Sequence, residues 1–585
     1  MFQNGAIQNY NLTASGGTAT ANYLISGSVL DQKGTIINTG FRRYNLRVNS
    51  QATRGRFTVG EAIALSQGNQ REFPQGVQGN QALPLIDVVS LLPTIPVRDP
   101  ANPGGYGFGS ATLPNYGTNP VAALEQNYNQ RRANAVIGTA YAEARLFGGL
   151  RYRLNLGINY ADSTNRVWTS STQLRYLTPV LTGASLNQSA PSAQQLLYEN
   201  LLQYDGTFGG GAHRLSAVAG QTSQRNEYQQ LLAFRQGFTN ESLQQINAGS
   251  TAGARDSGFV TPFRTNSLLS RATYTLRDRY LATASVRRDC SSRFSTGNRC
   301  GTFGAGSLGW VVSEEGFFRN IPVLGTASFF KLRASTGVLG DQNIGDLAYV
   351  VPIAQNQNYV VNSPTGTTVI GGGATQIVVA NPNLRWQRNR STDYGLDLGV
   401  LNNTLTITAD YYVNDADQVL VRLPVPNSLG SVADPVFNAG RVRNAGFELG
   451  ATHRLERGDL RLNNTLALTT SRNRVVSLGA GGTPIRAGIE GVARTVVGEP
   501  IGSFYVRRTA GVFQTEQDVQ DWKNANGQVI QPNARPGDLR FVDLNNDGQI
   551  NDDDRTTVGS PIPTFTSGLF MDARYRAFDV GFNLR

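Results

Sequence analysis

The stretch DLNNDGQINDDD, Asp543 to Asp554, spaces its oxygen-bearing residues as a twelve-residue calcium loop does. Coordinating positions 1, 3, 5, 7, 9 and 12 hold Asp543, Asn545, Asp547, Gln549 through its backbone carbonyl, Asn551 through a water, and Asp554. Gly548 stands at position 6, where the chain must turn sharply, and Ile550 at position 8 supplies an apolar anchor. The implied chemistry is structural coordination of Ca²⁺ by hard oxygen ligands. Aspartate at position 12 reaches less far than the usual glutamate, which weakens bidentate binding. A polar loop of Asx turns that holds no ion would use the same residues. A sensor is a poor fit, because the loop lacks helical flanks: LRFVD before it alternates like a strand, and SPIPTF after it contains Pro561 and Pro563. Calcium here would brace a loop rather than transmit a switch.

Other reactive residues are sparse. The chain has two histidines, His213 at a strand start and His453 within a strand, and no GxSxG, HExxH or Walker A sequence, so no hydrolytic or nucleotide-dependent site is expected. GAGSLG, Gly304 to Gly309, matches GxGxxG only formally, since a strand-like GWVVSEE follows where a dinucleotide site needs a helix. Cys290 and Cys300, the only cysteines, are spaced to close a small disulfide loop in an oxidising compartment, and two reduced thiols fit equally well. Two thiols without a second ligand pair make no zinc site.

The elements that position these residues are strands. In GLRYRLNLGINYAD, residues 149 to 162, Leu150, Tyr152, Leu154, Leu156, Ile158 and Tyr160 share one parity, while Arg151, Arg153, Asn155, Gly157 and Asn159 share the other. Strand side chains alternate faces, so this is a strand with one apolar and one wet face. TLTITADYYV, DLRLNNTLALTT, FELGATHRL and AFDVGFNLR repeat the pattern. Hydrophobic residues make up only 39% of the chain, and no window approaches the roughly 18 apolar residues of a membrane-spanning helix. A transmembrane β-barrel looks half hydrophobic and remains open.

Three features favour such a barrel over a soluble sandwich. The wet face carries arginine. Tyr152, Tyr160, Tyr280 and Tyr412 sit where interfacial aromatic girdles would lie. Tight connections, RLFGGLR and LERGDLR, contrast with long Gly/Pro/Asn-rich stretches at residues 70 to 130, 225 to 265, 340 to 380 and 475 to 540. The net charge of +11 is nearly all arginine, with lysine only at Lys33, Lys331 and Lys523, and it forms no clustered run, so nucleic acid is not an expected partner. The N-terminus shows neither a basic nor an apolar secretory region.

Several segments go further than pattern. IQNYNLTASGGTATANYLISGSVLDQKGTI, FRRYNLRVN, RDRYLATASVRRDCSSRF, GSLGWVVSEEGFF, KLRASTGVLGDQNIG, NPNLRWQRNRSTDYGLDLGVLNNTLTITADYY, NAGRVRNAGFELG, VGEPIGSFYV and PGDLRFVDLNNDGQINDDDRTTVGSPIPTFTSG follow one another in order. Together they resemble the barrel portion of SusC/RagA-type TonB-dependent outer-membrane transporters. The resemblance implies an all-β, antiparallel transmembrane barrel of 22 strands, of which residues 1–585 are part, with long extracellular loops and short periplasmic turns. Within it, residues 535–561 are expected to form a long loop around the calcium motif. By the family's pattern, signal peptide, plug, TonB box and last strands fall outside the chain.

The resemblance further implies import of oligosaccharides or peptides with a SusD-like surface lipoprotein, energised by TonB–ExbB–ExbD in a cell envelope whose outer-membrane lipids surround the barrel. It implies no catalysis. Aromatic and amide residues such as Tyr128 and Tyr359 are candidates to face a sugar or peptide. Two rival readings are a calcium-stabilised surface adhesin, which would show domain-length repeats that the chain lacks, and an outer-membrane hydrolase, which would need a clustered catalytic set.

Overall fold

The computed structural model describes residues 1–585 except 74–83, 116, 177–182, 323, 347, 352, 363–367, 377, 424–433 and 480. The first ten strands are β1 (Ala6–Gly17), β2 (Ala21–Lys33), β3 (Gly40–Arg54), β4 (Phe57–Glu72), β5 (Tyr128–Arg145), β6 (Leu150–Thr169), β7 (Ser185–Ser189), β8 (Ser192–Phe208), β9 (His213–Gln236) and β10 (Ser250–Leu276). Next come β11 (Tyr280–Ser291), β12 (Cys300–Val311), β13 (Phe329–Asp341), β14 (Ile353–Asn362), β15 (Thr368–Gln376), β16 (Gln387–Val400), β17 (Leu405–Asp417), β18 (Leu420–Arg422), β19 (Val436–Asn438), β20 (Arg441–Arg457), β21 (Leu460–Thr470) and β22 (Arg472–Ser477). The last are β23 (Ile485–Ala487), β24 (Ala493–Thr495), β25 (Ser503–Arg507), β26 (Thr509–Val512), β27 (Leu539–Phe541), β28 (Arg555–Gly559), β29 (Phe565–Tyr575) and β30 (Phe578–Leu584). Three short helices, α1 (Pro84–Ser90), α2 (Pro120–Gln126) and α3 (Glu516–Asp521), lie in connections.

The chain divides into two units, Met1–Tyr204 with Val218–Leu268, and Asp205–Ala217 with Leu269–Arg585. In the first, β1 to β6 and then β8 pair in succession, all antiparallel. In the second, β11, β12, β13, β16, β17, β20, β21, β29 and β30 do the same. Tight connections at 18–20, 55–56 and 146–149 gather at one end of the first ladder, and 73–127 leaves from the other. The second ladder is arranged alike, with 401–404, 458–459 and 576–577, together with the longer 312–328, at one end and 342–386, 418–440 and 478–564 at the other. The expected tight turns in RLFGGLR and LERGDLR are the β5–β6 and β20–β21 connections.

Register fixes the faces. In the first unit Ile25, Val48, Ile63, Gly138, Ile158 and Leu196 stand directly opposite one another across six strands, one apolar row. One residue along, Ser26, Arg47 and Ala64 form a row that projects to the other face. The apolar face is uncovered: Leu12 is 80% exposed and, in the second unit, Leu308 is 67% and Tyr394 58% exposed. A soluble sandwich would bury such rows against a second sheet, whereas lipid covers them in a membrane barrel.

Two sequence expectations need correction. Residues 225 to 265 are largely strand, with β9 continuing to Gln236 and β10 beginning at Ser250. β9 has 24 residues and β10 has 27, well beyond the roughly 9–11 that cross a bilayer, and the excess is wet on both faces and so loses its alternation. Tyr412 belongs to the polar face, beside Asp410 in parity, and the apolar-face tyrosine is Tyr411, 50% exposed.

Buried cores are small and lie in the long connections. In the first unit Tyr106, Ala122, Ala123 and Leu174 pack together around the start of α2. Asn119 caps that helix: its side-chain oxygen accepts from the Val121 and Ala122 amides at 3.1 and 3.0 Å, and its amide donates to the Val97 and Gly107 carbonyls at 3.0 and 2.8 Å. Asn119→Ala therefore strips a cap and orphans two carbonyls, and is expected to cost about 2–4 kcal/mol. Limited proteolysis should show cleavage within residues 84–127 at lower temperature than in the wild type.

Candidate functional site

Two regions carry functional chemistry: the polar face of the ladders, and the segment between β22 and β29 that holds the calcium motif. On the polar face of the first unit, Arg153 lies over the Tyr141 ring at 3.8 Å and its Nε donates to Asn155 Oδ1 at 2.8 Å. Asn155 Nδ2 donates to Glu199 at 3.1 Å, and the Tyr141 hydroxyl donates to Gln51 at 2.7 Å. In the second unit, Arg333 bridges three strands, donating to Asp397 at 3.1 Å and to Asp410 at 3.0 Å. These cross-strand charges lock rotamers along a wet wall and present alternating donors and acceptors to whatever passes it.

Cys290 and Cys300 stand directly opposite on β11 and β12 and are joined in a disulfide. The bridge closes the 292–299 connection beside a second small core of Phe294, Phe303, Ile344, Leu384 and Trp386.

The calcium motif sits in a folded outer segment rather than a plain loop. Residues 535–561 contain β27 before it and β28 after it; β28 joins β23, β24 and β25 in a four-stranded sheet, and β27 pairs with β26. Arg507 holds the loop from outside, its Nε donating to the Asn551 carbonyl at 2.8 Å and its Nη2 to Asp552 at 2.9 Å. Arg540 stacks on Trp522 at 4.6 Å, and the indole N–H donates to the Phe541 carbonyl at 2.9 Å.

Inside the loop, backbone amides organise the carboxylates. The Gly548 amide donates to Asp543 Oδ2 at 2.8 Å, and the Asp547 and Gln549 amides donate to Asn545 and Asp547 at 3.1 and 2.8 Å. Asp554, fully buried, accepts from the Leu544 and Asn551 amides at 2.8 Å each. Asp543 is only 8% exposed, and its Oδ1 is buried without a hydrogen-bond partner. An orphaned carboxylate oxygen in that position is what a bound cation would satisfy. No three acidic, histidine or cysteine side chains converge as a metal site among the described residues. A calcium ion would therefore draw its remaining oxygens from Asn545, the Gln549 carbonyl and Asn551. The Gln549 amide first, and then the Asn545 side chain, hold the Asp547 carboxyl below the usual carboxylate range.

The other expected positions have plainer roles. His213 opens β9 and meets the Tyr274 hydroxyl at 2.6 Å, and His453 faces Leu405 across β20 and β17. Gly304 to Gly309 lie within strand β12. Tyr128 is partly buried and packs against the core of Trp168, Ala184, Leu186 and Phe238. The Tyr359 side chain lies outside the described residues.

Antiparallel strands with an uncovered apolar face, a charged polar face, tight turns at one end and elaborate segments at the other define a chain of outer-membrane β-barrel type. The chain belongs to the family described as TonB dependent receptor-like, beta-barrel, which matches residues 90–585. It is 27% identical to TonB-dependent receptor P3 of Formosa agariphila, over 99% of this chain and 57% of that protein. It is 26% identical to TonB-dependent receptor SusC of Bacteroides thetaiotaomicron, over 100% of this chain and 58% of that protein. The chain thus spans little more than half the length of these relatives. In fold it is similar to the RagAB peptide transporter, with a TM-score of 0.78 at 19% identity, over 100% of this chain and 62% of the other. The SusC/RagA resemblance and the all-β barrel class read from the sequence are borne out, and the family is one of receptors and transporters of the outer membrane.

Gly548 has φ +83°, and a Cβ there would lie 2.6 Å from Gln528 Oε1. Gly548→Ala is therefore expected to destabilise the outer segment by about 1–2 kcal/mol, read as faster amide exchange over residues 539–559. A depressed carboxyl stabilises above its unfolded value and loses that contribution as pH falls through its folded value. The loop should thus stay protected at pH 5 and open only below about pH 4, checked by the same exchange measurement.

Proposed function

We propose that this chain forms the wall and outer segments of a SusC/RagA-type receptor in the outer membrane that imports oligosaccharides or peptides together with a SusD-like lipoprotein, energised through TonB–ExbB–ExbD. The observation that carries the reading is the family match over residues 90–585 on ladders with one lipid-compatible face and one polar, charged face. The similarity to SusC and to the RagAB peptide transporter supports the two cargo classes and a surface partner. The polar wall binds and releases hydrated cargo; it makes and breaks no bonds. Deleting the gene should abolish growth on one class of oligosaccharide or peptide, and disabling TonB in the wild type should do the same. Unchanged uptake of both classes in the deletion strain would refute the reading.

Calcium serves this work as a brace on the outer segment, held by Asp543, Asn545, Asp547, Gln549, Asn551 and Asp554. The orphaned Asp543 Oδ1 supports the assignment. Calorimetry on the full-length receptor should show one Ca²⁺ site with Kd of about 10⁻⁴ to 10⁻³ M, lost in Asp543→Ala and kept in Asp552→Ala. The absence of a heat difference between wild type and Asp543→Ala would remove the metal.

A further inference from the structure

We propose that the first unit carries a binding belt for the phosphate groups of an outer-leaflet lipid headgroup, formed by Lys33, Arg42, Arg71, Arg132 and Arg166. The inference rests on the outer-membrane reading above and adds a ligand that it does not contain.

The placement follows from register. Rows on the apolar face can be climbed from the tight turns toward the long connections. The row of Gly27, Leu46, Leu65, Val136 and Tyr160 ends the continuous apolar band, and the next row is Val29, Tyr44, Gln67, Asn134 and Asp162. Tyr44 and Tyr160 thus stand where an interfacial girdle stands. Above it come Asp31, Arg42, Asn69, Arg132 and Thr164, and then Lys33, Gly40, Arg71, Gln130 and Arg166. Residues two apart along a strand share a face, so both charged rows project outward, toward lipid, and not into the polar interior. Long connections mark the extracellular side, which puts the rows at the headgroups of the outer leaflet.

The charge there is uncompensated. Among the described residues, Arg42 pairs with Asp31, and Arg166 donates to the Gln244 carbonyl, while no carboxylate ion-pairs with Lys33, Arg71 or Arg132. The residues border a groove of about 890 Å³. The second unit offsets part of its charge within the sheet: above its apolar rows, Arg443 grips Asp415 with two bonds of 2.8 Å, and Arg441 reaches Asp417 at 3.1 Å. Arg390 and Arg388 stand beside them in the same two rows, with no carboxylate ion pair among the described residues. In the two rows of the first unit five cations stand with one aspartate, Asp31, and the belt takes its balancing anions from outside.

Size selects among anions. Four inter-strand steps of about 4.8 Å make the belt about 19 Å wide, and the two rows lie about 7 Å apart. That exceeds one inorganic phosphate and fits a headgroup bearing more than one. Guanidinium forks bind phosphate oxygens in pairs, while the aliphatic stems lie along the apolar surface below.

The test uses the full-length receptor extracted from its membrane in mild detergent, with native mass spectrometry reading retained phosphorylated lipid. Lys33→Gln/Arg71→Gln/Arg132→Gln should retain at least tenfold less than the wild type. Arg43→Gln/Arg47→Gln, on the opposite face, should retain as much as the wild type. The delipidated receptor should rebind vesicles containing the phosphorylated glycolipid and not vesicles containing its dephosphorylated form, and 10 mM inorganic phosphate should not compete. Equal retention in the triple variant, equal loss in the opposite-face pair, or binding indifferent to phosphate would each overturn the proposal, and full competition by inorganic phosphate would assign a free-anion site instead. Should the triple variant fail to show heat-modifiable migration, loss of the lipid from the wild type in 1 M NaCl becomes the deciding measurement, and retention there overturns the belt. Membrane fractionation tests the outer-membrane reading separately.

Discussion

In hydrocarbon a backbone amide has no water to turn to, so every strand must find its partners in the next strand. The antiparallel ladders of both units follow from this requirement, and so does the meaning of every side chain on them. Because faces alternate, a slip of one residue would drive Arg47 into lipid and Val48 into the wet interior. Register is therefore held strongly, and the cross-strand contacts of Arg153 and Arg333 become reproducible features of the wall. They are effects of the ladder, not its cause, since partly exposed ion pairs contribute little on their own.

Beyond the lipid the constraint relaxes, and the outer segments use the ordinary means of small soluble structures. They have compact apolar clusters, a helix cap in Asn119, a disulfide at the end of a hairpin, arginines laid on aromatic rings, and a loop whose carboxylates are organised by backbone amides. None of these clusters is large, and pieces of this size need staples to hold one conformation. The amide-organised loop of Asp543 to Asp554 belongs with the disulfide in that role. It sits between two short strands, β27 and β28, that belong to two separate small sheets.

The boundary between these regimes carries the most information about surroundings. Where the second unit leaves the apolar band, Arg441 and Arg443 pair with aspartates while Arg388 and Arg390 do not; where the first unit does so, Arg42 pairs with Asp31 while Lys33, Arg71 and Arg132 have no carboxylate partner among the described residues. The proposed belt is a lipid-facing surface distinct from the polar face of the ladders.

The amino-acid sequence alone determined the alternation of GLRYRLNLGINYAD, the tight turns at RLFGGLR and LERGDLR and the family resemblance, because each of these is written in local spacing. It also displayed the ligand types of Asp543 to Asp554, though not the buried orphan oxygen of Asp543. Residues 225 to 265 read as loop because strands that leave the bilayer are wet on both sides, and Tyr412 was misplaced by one position, which is one face. The packing of Tyr128 against the Trp168 core was likewise not visible in the sequence. Lys33, Arg42, Arg71, Arg132 and Arg166 are scattered over more than a hundred residues and formed no run. Only the tertiary structure made them neighbours, because pairing between strands, which sets distance across a sheet, depends on register and not on separation along the chain.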